Sequence, residues 1–284
     1  MADKQQKRRL HEEYLRQQHK ARRRSEKAAY RAERELQKQK VTEHLERIET
    51  VDCACVIHGS AYSWDYVEKL YNMLQRNLVK TIRFHVYTEH DRSVPPHMIK
   101  HNLMEWPGVS GPKASWWYKM QLFNTEHHKG PLLYLDLDTI IVRNLDWITE
   151  LPLGYLWAIK DFRYLWRSHN KSINSSVMWW DTRDLQWVWE NFANQDIAYM
   201  RKKYHGDQDF LTETIPDRQR RTFDEKYILS YRWQAKDGGF DFQRRQHKIP
   251  NSGVRLGNET SLLIFHGSPK PHEVNDKYIM QFWQ

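Results

Sequence analysis

The sequence predicts an α/β fold with a mostly parallel central sheet, preceded by an N-terminal charged helix. From about residue 51, short apolar segments of strand length alternate with segments whose apolar residues follow helical spacing, an order typical of parallel sheets. Residues 1–48 contain no Gly and no Pro and are rich in residues that favour helices. We therefore expect a basic helical or partly disordered arm over residues 1–48 and one globular domain over residues 49–284.

Most of the basic charge of the chain belongs to this arm. The net charge is +9, and residues 1–40 contribute +8 of it through 14 Lys and Arg against 6 Asp and Glu. Apolar residues are sparse there and form neither a heptad repeat nor a wide stripe. Two interpretations stay open: the arm binds an anionic partner such as nucleic acid or a membrane surface, or it is a solvated helix without a partner.

The globular part opens with alternating strands and helices. The pattern predicts a buried strand over 51–57, a helix over 62–77, a strand over 81–87, a helix over 116–124, and an apolar strand at the start of 131–142. Further on it predicts a strand over 173–180, helices over 187–203 and 207–214, and a short strand over 261–266. Because ligands of such sheets bind beyond the carboxyl ends of the strands, the residues after each strand are the candidates for function.

Cysteine usage and hydropathy bear on the cellular compartment. Cys53 and Cys55 are the only cysteines, and two residues on one face of the same strand would make a strained bridge, so no disulfide is expected. The N-terminus is charged rather than apolar, and no apolar run reaches the length that spans a bilayer. We therefore expect a cytoplasmic protein without a transmembrane segment.

The strongest local signal is a pair of aspartates at the end of an apolar strand. Asp136 and Asp138 follow the run 131–135, where charges beside buried residues need a partner. Two carboxylates spaced in this way at a strand end can converge on Mg²⁺ or Mn²⁺, which prefer oxygen ligands and share their sites with phosphates. One alternative is a simple turn or helix cap. Another is an Asp-x-Asp phosphatase with Asp136 as the nucleophile, although that motif usually opens its domain.

Four further segments flank the aspartate pair along the chain. Residues 115–123 carry Lys119, 174–178 begin with Asn-Ser-Ser, 206–211 contain Asp-Gln-Asp, and 264–271 contain His-Gly and Lys-Pro. In this order the segments resemble the retaining GT-A glycosyltransferases of family eight, the group of glycogenin and the bacterial galactosyltransferases. The resemblance also reaches the first strand and the turn after it, at 56–62.

This resemblance implies a GT-A, Rossmann-like nucleotide-diphospho-sugar transferase fold and a nucleotide-sugar donor, expected to be a UDP-sugar. It implies that Asp136, Asp138 and His266 bind the metal ion, and imidazole suits Mn²⁺ better than Mg²⁺. The other donor contacts that it implies are Val56, His58 and Tyr62 at the nucleotide base, and Gly267, Lys270 and Lys119 at the diphosphate.

The resemblance also implies where the sugar reacts. It places Asp207 and Gln208 beside the anomeric carbon, and Asn174, Ser175 and Ser176 near the sugar or the acceptor. Gln208 is a poor nucleophile, so we favour a route in which the leaving diphosphate guides the acceptor to the same face of the sugar. The sequence departs from the family at Ser176, where the family usually has Gly, and at 266–267, where the family often has an extra residue between His and Gly.

We therefore expect a metal-dependent hexosyltransferase that acts with retention on a hydroxyl acceptor that the sequence does not identify. Four tryptophans either line an acceptor groove or belong to the core: Trp116, Trp117, Trp179 and Trp180. The alternatives are a protein that associates with nucleic acid through residues 1–40, including a transferase that glycosylates nucleic acid, and the phosphatase.

Overall fold

The computed structural model describes residues 20, 23–25, 27–35, 50–110 and 114–284. The chain divides into two compact units, Met1–Ile48 and Glu49–Gln284. In the first unit the described residues are α-helical and exposed, and the rest of the predicted arm lies outside the described residues. Within the described part of the chain, no helix has both the length and the apolar character needed to cross a membrane.

A seven-stranded sheet forms the centre of the second unit, in the order β3-β2-β1-β4-β7-β6-β8. Its strands are β1 (Thr50–Val56), β2 (Thr81–Thr88), β3 (Ile99–Asn102), β4 (Pro131–Leu135), β6 (Leu156–Lys160), β7 (Ile173–Asp181) and β8 (Arg220–Thr222). Only β7 is antiparallel to its neighbours within this sheet. The mostly parallel sheet that the sequence predicts is therefore confirmed.

Helices and short strands complete the unit. The α-helices are α1 (Trp64–Asn77), α2 (Asp146–Thr149), α3 (Thr182–Ala193), α4 (Ile197–Lys203), α5 (Asp207–Thr214) and α6 (Lys277–Met280). Short 3-10 helices span Ser115–Phe123, Phe162–Leu165, Glu225–Tyr227 and Pro271–Glu273, and a π-helical turn spans Tyr231–Ala235. A three-stranded sheet joins β5 (Thr139–Ile141), β12 (Leu262–Ile264) and β9 (Ile228–Ser230), and β10 (Phe240–Asp241) pairs with β11 (Gln246–His247).

The central sheet separates two apolar cores. Alternate residues of β1 point to opposite faces, so that Cys53 and Cys55 join one core and Ala54 joins the other. The helix α1 covers the first core with its apolar stripe, which includes Leu70 and Met73. Both cysteines are free thiols, as the sequence predicts, and burial raises the pKa of each thiol.

Two predicted helices differ from the structure. The single helix predicted over 187–203 is wrong, because α3 ends at Ala193 and α4 begins at Ile197. The Asp196 side chain accepts a hydrogen bond from the backbone N–H of Tyr199, which caps the start of a new helix. The helix predicted over 116–124 is a 3-10 helix, Ser115–Phe123, and its buried residues run without interruption from Trp117 to Phe123. Burial on all sides leaves no amphipathic stripe for helical spacing to report.

Candidate functional site

The aspartate pair lies where the chain leaves the central sheet. Strand β4 ends at Leu135, and the backbone N–H of Asp136 donates to the carbonyl oxygen of Ser176 on β7 at 2.7 Å. A tight turn follows, in which the N–H of Thr139 donates to the carbonyl of Asp136 at 3.1 Å, and the chain enters β5 of the smaller sheet. The two carboxylates are therefore held at the junction of two sheets, at the carboxyl end of β4.

Asp136 is paired with a lysine. Lys119 Nζ lies 2.8 Å from Asp136 Oδ1, and the hydroxyl of Tyr134 donates to the same oxygen at 2.5 Å. Burial by itself raises the pKa of Asp136, but the charge and hydrogen bond of Lys119 and the Tyr134 hydroxyl outweigh it, so the pKa is lowered. Asp136 is therefore ionised at neutral pH.

Asp138 has its own cation. Lys270 Nζ donates to Asp138 Oδ2 at 2.5 Å, and the hydroxyl of Tyr62 donates to that oxygen at 2.8 Å. Burial and then the neighbouring charge of Asp136 raise the pKa of Asp138 despite these contacts. The environments of the two carboxylates thus separate their pKa values, which is common where charge is gathered for a ligand.

Lys119 connects the aspartate pair to a third carboxylate. It is 8% exposed, and its Nζ lies 3.7 Å from Asp207 Oδ2 at the start of α5. The hydroxyl of Ser175 donates to that same oxygen of Asp207 at 2.6 Å. Burial raises the pKa of Asp207. For Lys119, burial alone lowers the pKa, but the charges of Asp136 and Asp207 raise it above its ordinary value.

His266 follows β12 and is held by aromatic rings. Its ring stacks on Phe162 with 5.0 Å between centroids and meets Trp233 edge-on at 4.3 Å, and its Nε2 lies 2.7 Å from the hydroxyl of Ser230. Burial and then the nearby charge of Arg232 lower its pKa to about 4, so the imidazole is neutral at pH 7 and has the protonation state of a metal ligand.

Eight of the residues predicted to bind the donor line one cavity of about 710 Å³, the first cavity. They come from the ends of β1, β4 and β12, from the 3-10 helix Ser115–Phe123 and from the turn before α1: Val56, His58, Tyr62, Lys119, Asp136, Asp138, Gly267 and Lys270. His58 stacks on Tyr118 at 4.1 Å between centroids, which holds the turn after β1 against the core. Gly267 has a φ of 75°, a conformation that favours glycine and brings the backbone close to the cavity.

A second cavity, of about 620 Å³, adjoins the first, and Lys119, Asp136, Ser176, Trp116 and His266 line both. All five residues predicted near the sugar or acceptor lie around the second cavity: Asn174, Ser175, Ser176, Asp207 and Gln208. The structure thus brings every predicted site residue into two connected cavities that meet at Lys119. Three of the four tryptophans in question, Trp117, Trp179 and Trp180, are at most 1% exposed and belong to the core.

Sequence reasoning missed several residues of the second cavity. Three of them follow β6, a strand that the apolar pattern did not predict: Asp161, Phe162 and Arg163. A fourth, Trp233, lies in the π-helical turn. The Gln208 side chain donates to Asp161 Oδ2 at 2.7 Å, so the missed aspartate orients a predicted residue. A signal was present: the aspartate directly follows a run of strand length, 156–160, as Asp136 does after β4.

The predicted metal ligands share the first cavity but are turned towards other partners. The carboxylates of Asp136 and Asp138 pair with lysines, and His266 pairs with Ser230. Among the described residues, the only group of three acidic, histidine or cysteine side chains whose ligand atoms all lie within 4.8 Å of one another is Asp52, His85 and His128. That group lies outside both cavities.

Comparison with known proteins places the fold. No protein-family description and no curated protein matches the sequence. Among solved structures, 82% of this chain matches 94% of an active-site mutant of LgtC, with a TM-score of 0.55 and 13% identity. The galactosyltransferase LgtC in complex with donor and acceptor sugar analogues matches with a TM-score of 0.55 and 12% identity, over 82% of this chain and 94% of LgtC.

A third match is the glycosyltransferase GlyE of Streptococcus pneumoniae TIGR4, with a TM-score of 0.58 and 16% identity. It covers 82% of this chain but 60% of GlyE, so the chain spans about three fifths of that protein. At these identities the likeness concerns the fold. The chain has the GT-A-like fold of the LgtC and GlyE glycosyltransferases, as its motifs predict.

Proposed function

We propose that this chain is a metal-dependent glycosyltransferase that moves a sugar, with retention, from a UDP-sugar to a hydroxyl acceptor. One observation carries the proposal: two cavities meet at the buried Lys119, one lined by the aspartate pair and Lys270, the other by Asp207 and Gln208. A nucleotide diphosphate needs cations and a metal, and a sugar needs hydrogen-bonding side chains beside its anomeric carbon. The first cavity offers lysines and candidate metal ligands for the diphosphate, and the second offers polar side chains for the sugar, within a GT-A-like fold.

The first cavity suits the nucleotide diphosphate. Val56, His58 and Tyr62 line this cavity at the carboxyl end of β1, where ligands of such sheets bind, and we assign them to the base. Lys270 and Lys119 supply positive charge to the diphosphate, and Gly267 lets the backbone approach it. Both lysines now pair with Asp138 and Asp136, so the same groups can exchange one anionic partner for another.

The donor set of the proposed metal site fits Mn²⁺. Two carboxylates, one ionised at neutral pH, and a neutral imidazole line the same cavity, and oxygen with nitrogen ligands suits Mn²⁺ better than Mg²⁺. Asp136, Asp138 and His266 would hold the ion after turning from their present partners. When bound, the ion supplies Lewis-acid stabilisation of charge on the leaving diphosphate.

The second cavity suits the reacting sugar. Asp207 is 3% exposed and is fixed by Ser175, and the Gln208 side chain is fixed by Asp161. Gln208 has no nucleophilic oxygen of carboxylate strength, so the side chains stabilise the developing positive charge of the sugar while the acceptor enters on the side of the departing diphosphate.

The acceptor enters through the second cavity in this proposal. Ser175 and Ser176 are 3% and 6% exposed, whereas Asn174 is half-buried and its Oδ1 accepts from the backbone N–H of Ser176 at 3.0 Å. LgtC has been observed with both donor and acceptor sugar analogues. A hydroxyl acceptor of sugar size, bound beside Asn174 and Asp161, is therefore consistent with the 620 Å³ of this cavity.

Calorimetric titration of nucleotides tests the proposal. UDP, GDP and their sugar conjugates are titrated with and without Mn²⁺ into the wild type and Asp138→Asn. We expect UDP to bind only with Mn²⁺ and the variant to lose that binding. If no nucleotide binds with any metal, the proposal is wrong. A trapped phospho-aspartate at Asp136 would instead favour the phosphatase.

A nucleic-acid or anionic-surface partner of residues 1–40 remains a prediction about residues that are mostly outside the described ones. The described stretch 27–35 is an exposed helix, which is compatible with either a tether or a solvated helix. Binding of duplex DNA that weakens steeply with salt, and is lost when residues 1–48 are deleted, would support the tether. Glycosylation of that DNA by the intact chain would join the two functions.

A further inference from the structure

A group of histidines lies outside the two cavities. It consists of His85 on β2, His101 on β3, and His127 and His128 just before β4, with Asp52 near the start of β1; we call it the histidine cluster. None of these side chains lines either cavity. Asp52 and His85 are 7% and 5% exposed, and burying a carboxylate against imidazoles is costly unless each polar atom has a partner.

Three members of the histidine cluster offer ligand atoms at one point. One atom each of Asp52, His85 and His128 lies within 4.8 Å of the other two. The closest pair is Asp52 Oδ1 and His85 Nε2 at 2.7 Å, and the rings of His85 and His128 meet edge-on with 5.0 Å between centroids. A carboxylate oxygen with two imidazole nitrogens is a ligand set of zinc sites that keep a fourth position open for water.

The outer partners of these ligands are also in place. His85 Nδ1 lies 2.8 Å from His101 Nε2, His128 Nε2 lies 3.2 Å from the carbonyl oxygen of Pro131, and Arg83 holds Asp52 through Nε at 2.7 Å. Metal-binding histidines usually engage their second ring nitrogen with a carbonyl, a carboxylate or another polar group, which fixes the ring and the tautomer. His85 and His128 therefore each have a support that leaves the other ring nitrogen for a metal. Both oxygens of Asp52 accept from Arg83, so Arg83 must move before the carboxylate can bind an ion.

We propose that the histidine cluster is a second metal site, which binds Zn²⁺ through Asp52, His85 and His128 with a water in the fourth position. The ion takes the place of the proton between Asp52 Oδ1 and His85 Nε2, and that proton is released to solvent. The two atoms must move apart slightly to admit the ion. Arg83 has a side chain that is 57% exposed, so it can withdraw towards solvent while the carboxylate turns to the ion. Imidazole nitrogens favour zinc over the magnesium-like ions that an all-oxygen site prefers.

The position of the site links three segments of the fold. Its ligands come from positions 52, 85 and 128, so the ion joins β1, β2 and the segment that leads into β4. At their carboxyl ends, β1 and β4 carry residues of the first cavity, among them Val56 and Asp136. Because zinc binds the folded chain and not the separated ligands, zinc should raise the midpoint of thermal unfolding by an amount that grows with the logarithm of the zinc concentration relative to the dissociation constant.

Zinc stoichiometry and affinity test this site in the full chain. The metal-free wild type is titrated with Zn²⁺ by calorimetry, and Co²⁺ is used as a visible-absorbing substitute. We expect one high-affinity zinc per chain in the wild type and in Asp138→Asn, and its loss in His128→Gln and in His85→Gln. His101→Asn, which alters a support and not a ligand, should weaken zinc about 10- to 100-fold. His90→Asn, at an exposed histidine, is the matched control and should bind as the wild type does.

Each other outcome overturns the proposal. Zinc lost in Asp138→Asn and kept in His128→Gln would place the ion at the aspartate pair. Zinc kept in every variant would place it on histidines elsewhere in the chain, and no zinc in the wild type would show that the histidine cluster is a hydrogen-bonded network only. His128 is half-buried, so His128→Gln should keep the metal-free unfolding midpoint close to that of the wild type, and this is measured alongside.

Discussion

The first and second cavities adjoin at Lys119, yet they are built in different ways. The first takes many of its polar groups from residues that follow strands closely, such as His58 after β1 and Asp136 after β4. The second takes many of its groups from the start of α5 and from turns, including Gly206, Gln208 and Trp233, although Asp161 follows β6 directly. Charge at strand ends therefore marks the cavity to which we assign the diphosphate, whereas the cavity to which we assign the sugar depends more on the connections between elements.

The largest expected effect comes from the residue that the two cavities share. Lys119→Met leaves the buried carboxylates of Asp136 and Asp207 without their common cation, and breaking a buried ion pair costs about 3–5 kcal/mol. We expect urea denaturation to show a loss of this order in the free energy of unfolding. Lys202→Met, at an exposed helical lysine, should change it little. Equal stability of the two variants would show that the ion pairs of Lys119 with Asp136 and Asp207 do not contribute to the free energy of unfolding.

Asp138→Asn tests the metal site that we propose in the first cavity. The variant removes a proposed metal ligand and keeps the shape of the side chain, so we expect Mn²⁺-dependent UDP affinity to fall more than about 100-fold, beyond the loss typical of an outer partner. Calorimetry measures this. Asp91→Asn, at an exposed aspartate, is the control. An unchanged affinity would remove the aspartate pair from the metal site.

Gln208→Ala tests the role that we propose for the second cavity. We expect kcat to fall about 100-fold, as it does when one preorganised polar group beside the reacting centre is removed, while UDP affinity stays that of the wild type. Initial rates with a UDP-sugar, together with UDP titration, separate these two effects. Gln195→Ala, at an exposed glutamine, should leave both unchanged. A fall in UDP affinity would show that Gln208 belongs to the nucleotide site.

The sequence predicted the first cavity more completely than the second for a physical reason. Asp136 and Lys270 are polar residues beside apolar strands, where burial of charge is visible in the pattern itself. Phe162 and Trp233 are apolar residues that fill cores and cavities alike, so no local pattern distinguishes their role. The sheet was predictable from alternating segments, but the break between α3 and α4 depends on a cap at Asp196 that helical spacing does not report.

The pH dependence of metal binding distinguishes the carboxylates of the two cavities. Asp138 has a raised pKa, because of burial and the charge of Asp136, and binds a cation only when it is ionised. Mn²⁺-dependent UDP binding should therefore weaken as the pH falls through that pKa, by up to about tenfold per pH unit. Asp207 also has a raised pKa through burial but lies in the second cavity. Asp207→Asn should keep the pH dependence of UDP binding. If that variant lost the pH dependence, the titrating carboxylate would be Asp207 and not Asp138.

The smallest expected effect is that of Gly206→Ala, which tests the Trp116 ring that lines both cavities. A Cβ at Gly206 would lie 2.9 Å from Trp116 Nε1, so Gly206→Ala forces the indole to move, whereas the φ of Gly206, −171°, suits any residue. Overpacking of this kind costs about 1 kcal/mol, roughly a fivefold change in an equilibrium constant. Because Gly206 itself belongs to the second cavity, we expect the KM for the acceptor to rise about fivefold with UDP affinity unchanged. A fall in UDP affinity of the same size would instead show that Trp116 transmits the shift into the first cavity, and that the two cavities respond to ligands as one.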